Sequence, residues 1–191
     1  AKQAPSLRAL EARRQLRYEL ISGLSGVALA LFMWGHMFLV GSFLTGARGF
    51  DALASGMENI YLAQPTVIAI TALFLVHAAM ASRKIPAQVR DRRRLRELTQ
   101  GLGRAQPDRP AHVESSLWIW QVWTGMILLV FGSFHLVLVG LDVFTDLYGA
   151  HTGIEAVSTQ ARVAGGLWIV YAVLLICVEF HASTGLYRFA V

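Results

Sequence analysis

Histidine is the residue type in this chain with the clearest potential for cofactor chemistry. Four of the six histidines lie in long apolar stretches, one in each of four stretches: His36, His77, His135 and His181. A polar side chain inside a membrane is costly and is usually functional. A single histidine could act only as a hydrogen-bonding partner for a neighbouring helix. One histidine in every stretch favours the ligation of a metal or a cofactor.

The stretches around these histidines are long enough to cross a membrane. Charged side chains are absent from residues 20–47, 59–82 and 115–141, and Glu179 is the only one in residues 163–187. A bilayer core about 30 Å thick requires roughly 20 apolar residues in a helix. We therefore predict an all-α integral membrane bundle that forms a single membrane domain over residues 1–191. The expected transmembrane helices are 20–46, 63–82, 115–141 and 162–188.

The composition of the chain supports the membrane class. Of its 191 residues, 55% are apolar and only 15% are charged, whereas a soluble domain carries about a quarter charged residues. A single cysteine, Cys177, excludes an internal disulfide framework and a metal site built from paired thiolates. The composition therefore argues against a soluble enzyme and against a disordered chain.

The lysine and arginine residues predict how the helices are oriented. Fifteen of the 17 fall in residues 1–19, in the loop 83–114 or at Arg188, and only Arg48 and Arg162 lie on the other side. The positive-inside rule places the N-terminus, the basic loop 83–114 and the C-terminus in the cytoplasm. The net charge of +5 is then a topology signal, and we predict no nucleic-acid binding. Within the loop, the sequence RDRRRLREL at residues 90–98 favours a short helix.

This orientation sorts the four histidines into two pairs by their depth in the membrane. His77 lies six residues before Arg83 and His181 seven residues before Arg188, so both are near the cytoplasmic boundary. His135 and His36 lie in the outer halves of their helices. Two imidazoles at one level on different helices are what a bis-histidine haem requires. Zinc fits poorly, because the four histidines do not converge at one depth.

The sequences around the histidines resemble a known family. The matching stretches are GHMFLVGSFLTG, VHAAMASRKIP, SSLWIWQVWTGMILLVFGSFHL and VEFHASTGLYRFAV. They resemble the di-haem cytochrome b membrane anchor of menaquinol:fumarate reductases, the single-anchor type of the succinate:quinone oxidoreductase superfamily. The resemblance implies that His36 and His135 hold the iron of an outer haem b, and that His77 and His181 hold that of an inner one.

The resemblance also implies a function and partners. In that family, menaquinol is oxidised near the outer haem, and electrons pass inward to an iron–sulfur subunit and a flavoprotein fumarate reductase subunit. The fumarate chemistry is on another chain, so this chain would be the quinol-oxidising subunit of the enzyme. We expect the soluble subunits to dock on the 83–114 loop and the N-terminal segment, in a bacterial cytoplasmic membrane. A dimer of the heterotrimer is left open.

Two acidic residues are candidates for proton transfer on the same grounds. Glu179 matches the glutamate to which that family assigns proton transfer across the membrane. The alternative is a structural carboxyl that pairs with a base such as Arg188. Glu58, in the stretch GMENIYLAQP, is the candidate acceptor of quinol protons, although the family's acidic residue falls a few positions later, nearer Tyr61. The alternative for Glu58 is a solvated loop acid.

Three further residues are candidates for contacts with haem propionates, which need donors at the membrane faces. Arg162 suits the outer haem, and Ser22 and Trp118 match family positions near the inner one. A topology charge at Arg162 and interface anchoring by Trp118 are the alternatives, and serine, as at Ser22, is common in membrane helices. The sequence ends at Val191 after GLYRFAV, where that family continues into a fifth helix, so it represents either part of a longer chain or a four-helix variant.

Three other functions compete with quinol oxidation. The same architecture could run in reverse as a succinate:quinone reductase. It could also serve as the cytochrome b subunit of a hydrogenase or formate dehydrogenase, although the quoted stretches argue against this. Outside the redox class, a cofactor-free transporter or scaffold would use the histidines only to bridge helices. Broken helices and internal repeats, which are typical of transporters, are not evident in the sequence.

Overall fold

The structure is a computed structural model, and it describes residues 7–83, 85–86, 89–90, 93–94, 97, 113–149 and 155–190. All regular secondary structure in these residues is helical. The first part of the chain contains α1 (Leu7–Gly41), a short 3₁₀ turn (Ser42–Thr45), α2 (Ala47–Asn59) and α3 (Ala63–Ser82). In the predicted helix 90–98, residues 90, 93, 94 and 97 are described, and each of them is helical.

Two further long helices follow, and each contains a π-helical turn. The first runs through α4 (Val113–Ile127), the π turn Leu128–Gly132 and α5 (Ser133–Thr145). The second runs through α6 (Ala156–Arg162), the π turn Val163–Leu167 and α7 (Trp168–Ala190). Within the second turn Gly166 has a φ of 94°, a conformation that favours glycine because it has no Cβ atom. We refer to α1, α3, α4–α5 and α6–α7 as spans I, II, III and IV.

The four spans confirm the predicted membrane bundle. Helices long and apolar enough to cross a bilayer cover Ala9–Thr45, Pro65–Ser82, Leu117–Asp142 and Ala156–Ala190. Their large apolar side chains face outward in many places, as at Phe38, Ile68 and Ile176. So much exposed apolar surface is unfavourable in water. Lipid solvates it, and the helices satisfy their own backbone hydrogen bonds. Span I begins at Leu7, inside the predicted cytoplasmic segment, because its residues there are good helix formers.

Packing contacts define the order of the spans around the bundle. Span I packs against spans II and IV, and span III packs against span IV. Span II approaches span III at Gly132, where a Cβ atom would lie 3.6 Å from the Phe74 ring. The spans therefore follow one another around the bundle in chain order. Spans I and III face each other across one diagonal, and spans II and IV across the other.

The two ends of the bundle differ in structure. The helix α2 covers one end, which we call the α2 end, and the other end carries the first residues of α1 and the last of α7. Phe50 and Ala54 of α2 are buried against Leu39 and Ala156. The Asp51 carboxylate accepts a hydrogen bond of 2.8 Å from the backbone N–H of Ala156. Since this N–H lies in the first turn of α6, Asp51 caps that helix from outside it.

A buried ion pair joins spans III and IV at the α2 end. Asp142 is 0% exposed and Arg162 is 6% exposed, and the Arg162 guanidinium donates to the Asp142 carboxylate over 2.5 Å. The other Asp142 oxygen accepts from the backbone N–H of Tyr148. Arg162 also donates to Tyr171, Ser158 and Thr159 over 3.1, 3.2 and 3.0 Å. Removing one charge of such a pair leaves the other charge buried without compensation.

We expect Asp142→Leu to lower the free energy of unfolding by about 3–5 kcal/mol, because the Arg162 charge stays buried. The double variant Asp142→Leu/Arg162→Met removes both charges, and we expect it to recover most of that loss. Thermal unfolding of the purified protein in detergent measures both effects. Equal stability of the single and double variants would contradict a structural role for the pair.

Two histidine pairs as the candidate cofactor site

The histidines meet in pairs along the two diagonals of the bundle. The His36 and His135 ring centroids are 6.3 Å apart with the ring planes at 63°. The His77 and His181 centroids are also 6.3 Å apart, with the planes at 90°. Two metal–nitrogen bonds of about 2 Å, with a ring radius of about 1 Å at either side, give a separation of about 6 Å. Each pair is therefore spaced to bind one metal ion between its two imidazoles.

Span I orients the His77 ring. The His77 Nδ1 atom lies 3.0 Å from the carbonyl oxygen of Ser22 and 3.1 Å from the Oγ atom of Ser25. The Ser25 hydroxyl itself donates to the Ser22 carbonyl over 3.1 Å. Because a carbonyl oxygen can only accept, the contact with Ser22 requires the proton on Nδ1. This tautomer leaves the lone pair of Nε2 available for a metal.

Span III orients the His181 ring by the same arrangement. The His181 Nδ1 atom lies 2.9 Å from the carbonyl oxygen of Gln121 and 3.3 Å from the Oγ1 atom of Thr124. The Thr124 hydroxyl donates to the carbonyls of Gln121 and Trp120, over 3.2 and 2.8 Å. His181 therefore also carries its proton on Nδ1 and presents Nε2 toward the diagonal.

A glycine follows each hydroxyl residue and gives the ring its space. A Cβ atom at Gly26 would lie 3.0 Å from the Cε1 atom of His77, and one at Gly125 would lie 2.8 Å from that of His181. These distances are at or below the closest contacts that real side chains make. Both rings therefore lie directly against helix backbone, and the two histidines are held by equivalent sets of carbonyl, hydroxyl and glycine.

Aromatic rings surround the pair at the α2 end. Phe32 stacks on His36 with the ring centroids 5.7 Å apart, and Tyr171 meets His135 edge to face at 5.6 Å. The Nδ1 atom of His135 is buried and has no hydrogen-bond partner among the residues that the structure describes. A buried polar atom of this kind usually marks a functional site. The Tyr171 hydroxyl links this pair to the Asp142–Arg162 ion pair through the Arg162 Nε atom.

The candidate propionate contacts lie near the two ends of the bundle. Ser22 is buried, and it contacts His77 through its backbone carbonyl. Trp118 is buried in the first part of α4. Arg162 lies in the ion pair with Asp142. Four of the five N–H groups of its guanidinium are therefore engaged by described residues.

The two candidate proton carriers lie on different helices. Glu58 is half-buried near the end of α2, and Glu179 is exposed on α7, two residues before His181. Within the described part of the chain, Glu179 and Arg188 do not form an ion pair. Arg188 donates to the Gln121 side chain over 2.7 Å. The basic loop beyond residue 97, up to residue 112, lies outside the described residues.

The sequence reasoning missed the side chains that hold the rings. Ser25, Thr124 and Asp142 had no assigned role. A signal was present in the dipeptides Ser25–Gly26 and Thr124–Gly125, each of which pairs a hydroxyl with a glycine inside an apolar span. Hydroxyl and glycine residues are common in membrane helices, so the signal alone does not identify a partner.

Comparisons with known proteins agree with the resemblance noted in the sequence. Residues 90–191, more than half of the chain, match the family described as succinate dehydrogenase/fumarate reductase transmembrane subunit. The fumarate reductase cytochrome b subunit of Helicobacter pylori is 28% identical in an alignment of 183 residues that covers 92% of this chain. That of Wolinella succinogenes is 33% identical in an alignment of 176 residues that covers 87% of this chain.

The matched relatives are longer than this chain, which covers 66% of the Helicobacter protein and 62% of the Wolinella protein. The family match covers the candidate ligands His135 and His181, and the alignments with the two relatives extend over most of the remaining spans. The four membrane spans are those expected of a transmembrane subunit. The chain belongs to the family of succinate dehydrogenase/fumarate reductase transmembrane subunits.

Proposed function

We propose that this chain is the membrane anchor and electron-transfer subunit of a quinol:fumarate reductase, and that it binds two b haems. The observation that carries the proposal is the pairing of four histidines on the two diagonals of the bundle, each pair separated by 6.3 Å. The names of the Helicobacter and Wolinella relatives, fumarate reductase cytochrome b subunit, support it. Since the family description covers both enzymes, the reverse reaction, succinate oxidation by quinone, is the second candidate.

The residues present fit a haem at each pair. A haem iron takes four nitrogens from its macrocycle and two axial ligands from the protein. Each diagonal provides two imidazoles, and among the described residues no third metal-binding side chain joins either pair. The Nδ1 hydrogen bonds of His77 and His181 direct Nε2 toward the site. When bound, the haems supply one-electron transfer across the membrane.

Residues of this chain would bind the haems and hold them in place. His36 and His135 would ligate the haem at the α2 end, which is the outer side in the orientation predicted from the basic residues. His77 and His181 would ligate the inner haem. Arg162 has one guanidinium N–H left, after its contacts with described residues, to donate to a propionate of the outer haem. Ser22 and Trp118 would serve the inner haem at the opposite end.

Two carboxylates would move protons. Glu58, on the helix that covers the outer end, would accept protons from menaquinol. Glu179 would carry protons across the membrane, so that charge movement by the electrons is offset. It lies on α7 two residues before His181, so the two side chains are at a similar depth in the bundle although they leave the helix on different sides. An ionisable side chain inside a span is functional in most membrane proteins.

The soluble partners would dock at the inner end of the bundle. The N-terminal segment and the loop 83–114 bring most of the basic residues to that end. An iron–sulfur subunit would bind there and pass electrons to the flavoprotein subunit that reduces fumarate. We place the complex in the bacterial cytoplasmic membrane with the N-terminus of this chain in the cytoplasm, and leave open a dimer of the heterotrimer.

We expect the purified protein to show two b-type haems in a reduced-minus-oxidised visible spectrum. His77→Ala or His181→Ala should remove one haem, and His36→Ala or His135→Ala the other, because each iron loses an axial ligand. Variants within one pair should lose the same spectral component. A wild-type protein without b-type bands would overturn the proposal, and loss of the same component from all four variants would overturn the pairing.

We expect Glu179→Gln to retain both haems and to lower quinol-linked fumarate reduction by at least about tenfold, because the amide cannot carry a proton. Asp146→Asn, the same carboxylate-to-amide change at an exposed position just after α5, is the matched control and should keep full activity. Fumarate reduction by a soluble dye that donates electrons to the complex directly should be unchanged in both variants. Normal quinol oxidation by Glu179→Gln would refute the proton-carrying role.

A further inference from the structure

We propose that Ser25 and Thr124 are positioning residues that fix the rings of His77 and His181 and thereby set the reduction potential of the inner haem. This inference rests on the haem ligation proposed above. Neither residue would touch the haem in this role. Each acts through the histidine whose Nδ1 atom it contacts, Ser25 at 3.1 Å and Thr124 at 3.3 Å.

The two contacts are equivalent in their helical spacing. In span I, the carbonyl of Ser22, the hydroxyl of Ser25 and the space at Gly26 occupy positions i, i+3 and i+4. In span III, Gln121, Thr124 and Gly125 occupy the same three positions. Residues at these spacings lie on one face of a helix. The same construction therefore appears on two spans of unrelated local sequence, on opposite sides of one histidine pair.

The carbonyl of a helix can serve both its own helix and the ring. Each carbonyl oxygen has two lone pairs, of which one accepts the helical N–H four residues later. The other faces the imidazole Nδ1 atom, 3.0 Å away at Ser22 and 2.9 Å away at Gln121. A single hydrogen bond leaves the ring able to rock about it. The hydroxyl adds a second contact with Nδ1. It also donates to the same carbonyl, which receives the hydroxyl and the ring together on the side that the helical N–H leaves free.

The hydrogen bonds have an electronic consequence for a ligand histidine. An imidazole that donates its second N–H to an oxygen becomes a stronger base and keeps its orientation. A stronger donor stabilises the oxidised iron, and hydrogen bonding around the ligands is one of the means by which proteins set haem potentials. The outer pair lacks this feature at His135, whose Nδ1 atom has no partner among the described residues. The two haems should therefore respond differently to loss of the hydroxyls.

The test is a redox titration of the two haems in Ser25→Ala, Thr124→Val and the double variant. We expect the potential of the inner haem to shift in the positive direction in each single variant, and further in the double variant. The outer haem should keep its potential. The inner haem is identified as the one lost from His77→Ala. A change in the low-spin ferric electron paramagnetic resonance signal of the same haem should accompany the shift, because that signal reports ligand orientation.

The chain offers matched controls for the two hydroxyls. Ser42 donates to the carbonyl three residues earlier, as Ser25 does, and Thr71 donates to the carbonyl four residues earlier, as Thr124 does. The Ser42 and Thr71 hydroxyls donate to backbone carbonyls of the same helical segment. Ser42→Ala and Thr71→Val should leave both potentials unchanged. Ser25→Thr and Thr124→Ser keep a hydroxyl and should stay close to wild type.

The outcomes separate this inference from the proposed function. An unchanged inner potential in the double variant would overturn the positioning role, and so would equal shifts of both haems or hydroxyl-retaining variants that behave like the deletions. Selective loss of the inner haem would support the role, because an unsupported ring no longer binds iron. Absence of haem from the wild-type protein would instead overturn the proposed function, and this inference with it.

Discussion

Polar side chains deep inside the four spans have no water to bind, so their partners must come from another helix, from the backbone or from a bound group. The rest of the structure follows from this constraint. The His77 and His181 rings bond to carbonyls of the neighbouring spans I and III, and the buried Arg162 charge is compensated by Asp142. These contacts define which helices face each other, and the apolar side chains then cover the outside of the bundle.

Polar contacts at the two ends of the bundle serve different purposes. At the α2 end, the ion pair between Asp142 and Arg162 joins span III to span IV beside His36 and His135, and Tyr171 connects it to the His135 ring. At the other end, the helices hold the histidines through carbonyls and hydroxyls without a charge. A neutral hydrogen bond positions an imidazole without the large cost of burying an ion.

Much of the fold was predictable from residue types alone. The spans could be located from long stretches that hold at most one charged residue, and the depth of each histidine followed from its distance to the flanking charges. The hydrogen-bond and ion-pair partners of the polar side chains could not be predicted in this way. Arg162 was expected to bind a propionate, and its ion pair with Asp142 depends on spans III and IV meeting at the α2 end. Arg188 was named only as an alternative partner of Glu179, and it donates to Gln121 because span III packs against span IV at that level.

Residue order along the chain was enough to predict a membrane bundle, the end of the bundle that carries the basic residues, and two depths for the histidines. Hydropathy, charge and helical rise are local quantities. It was also enough to show the family resemblance. Only the tertiary structure decided which neighbouring span holds each ring, span I for His77 and span III for His181. It also selected Ser25 and Thr124 among the hydroxyl residues of the spans. Those facts depend on which helix faces which, and the packing of four helices together sets that arrangement.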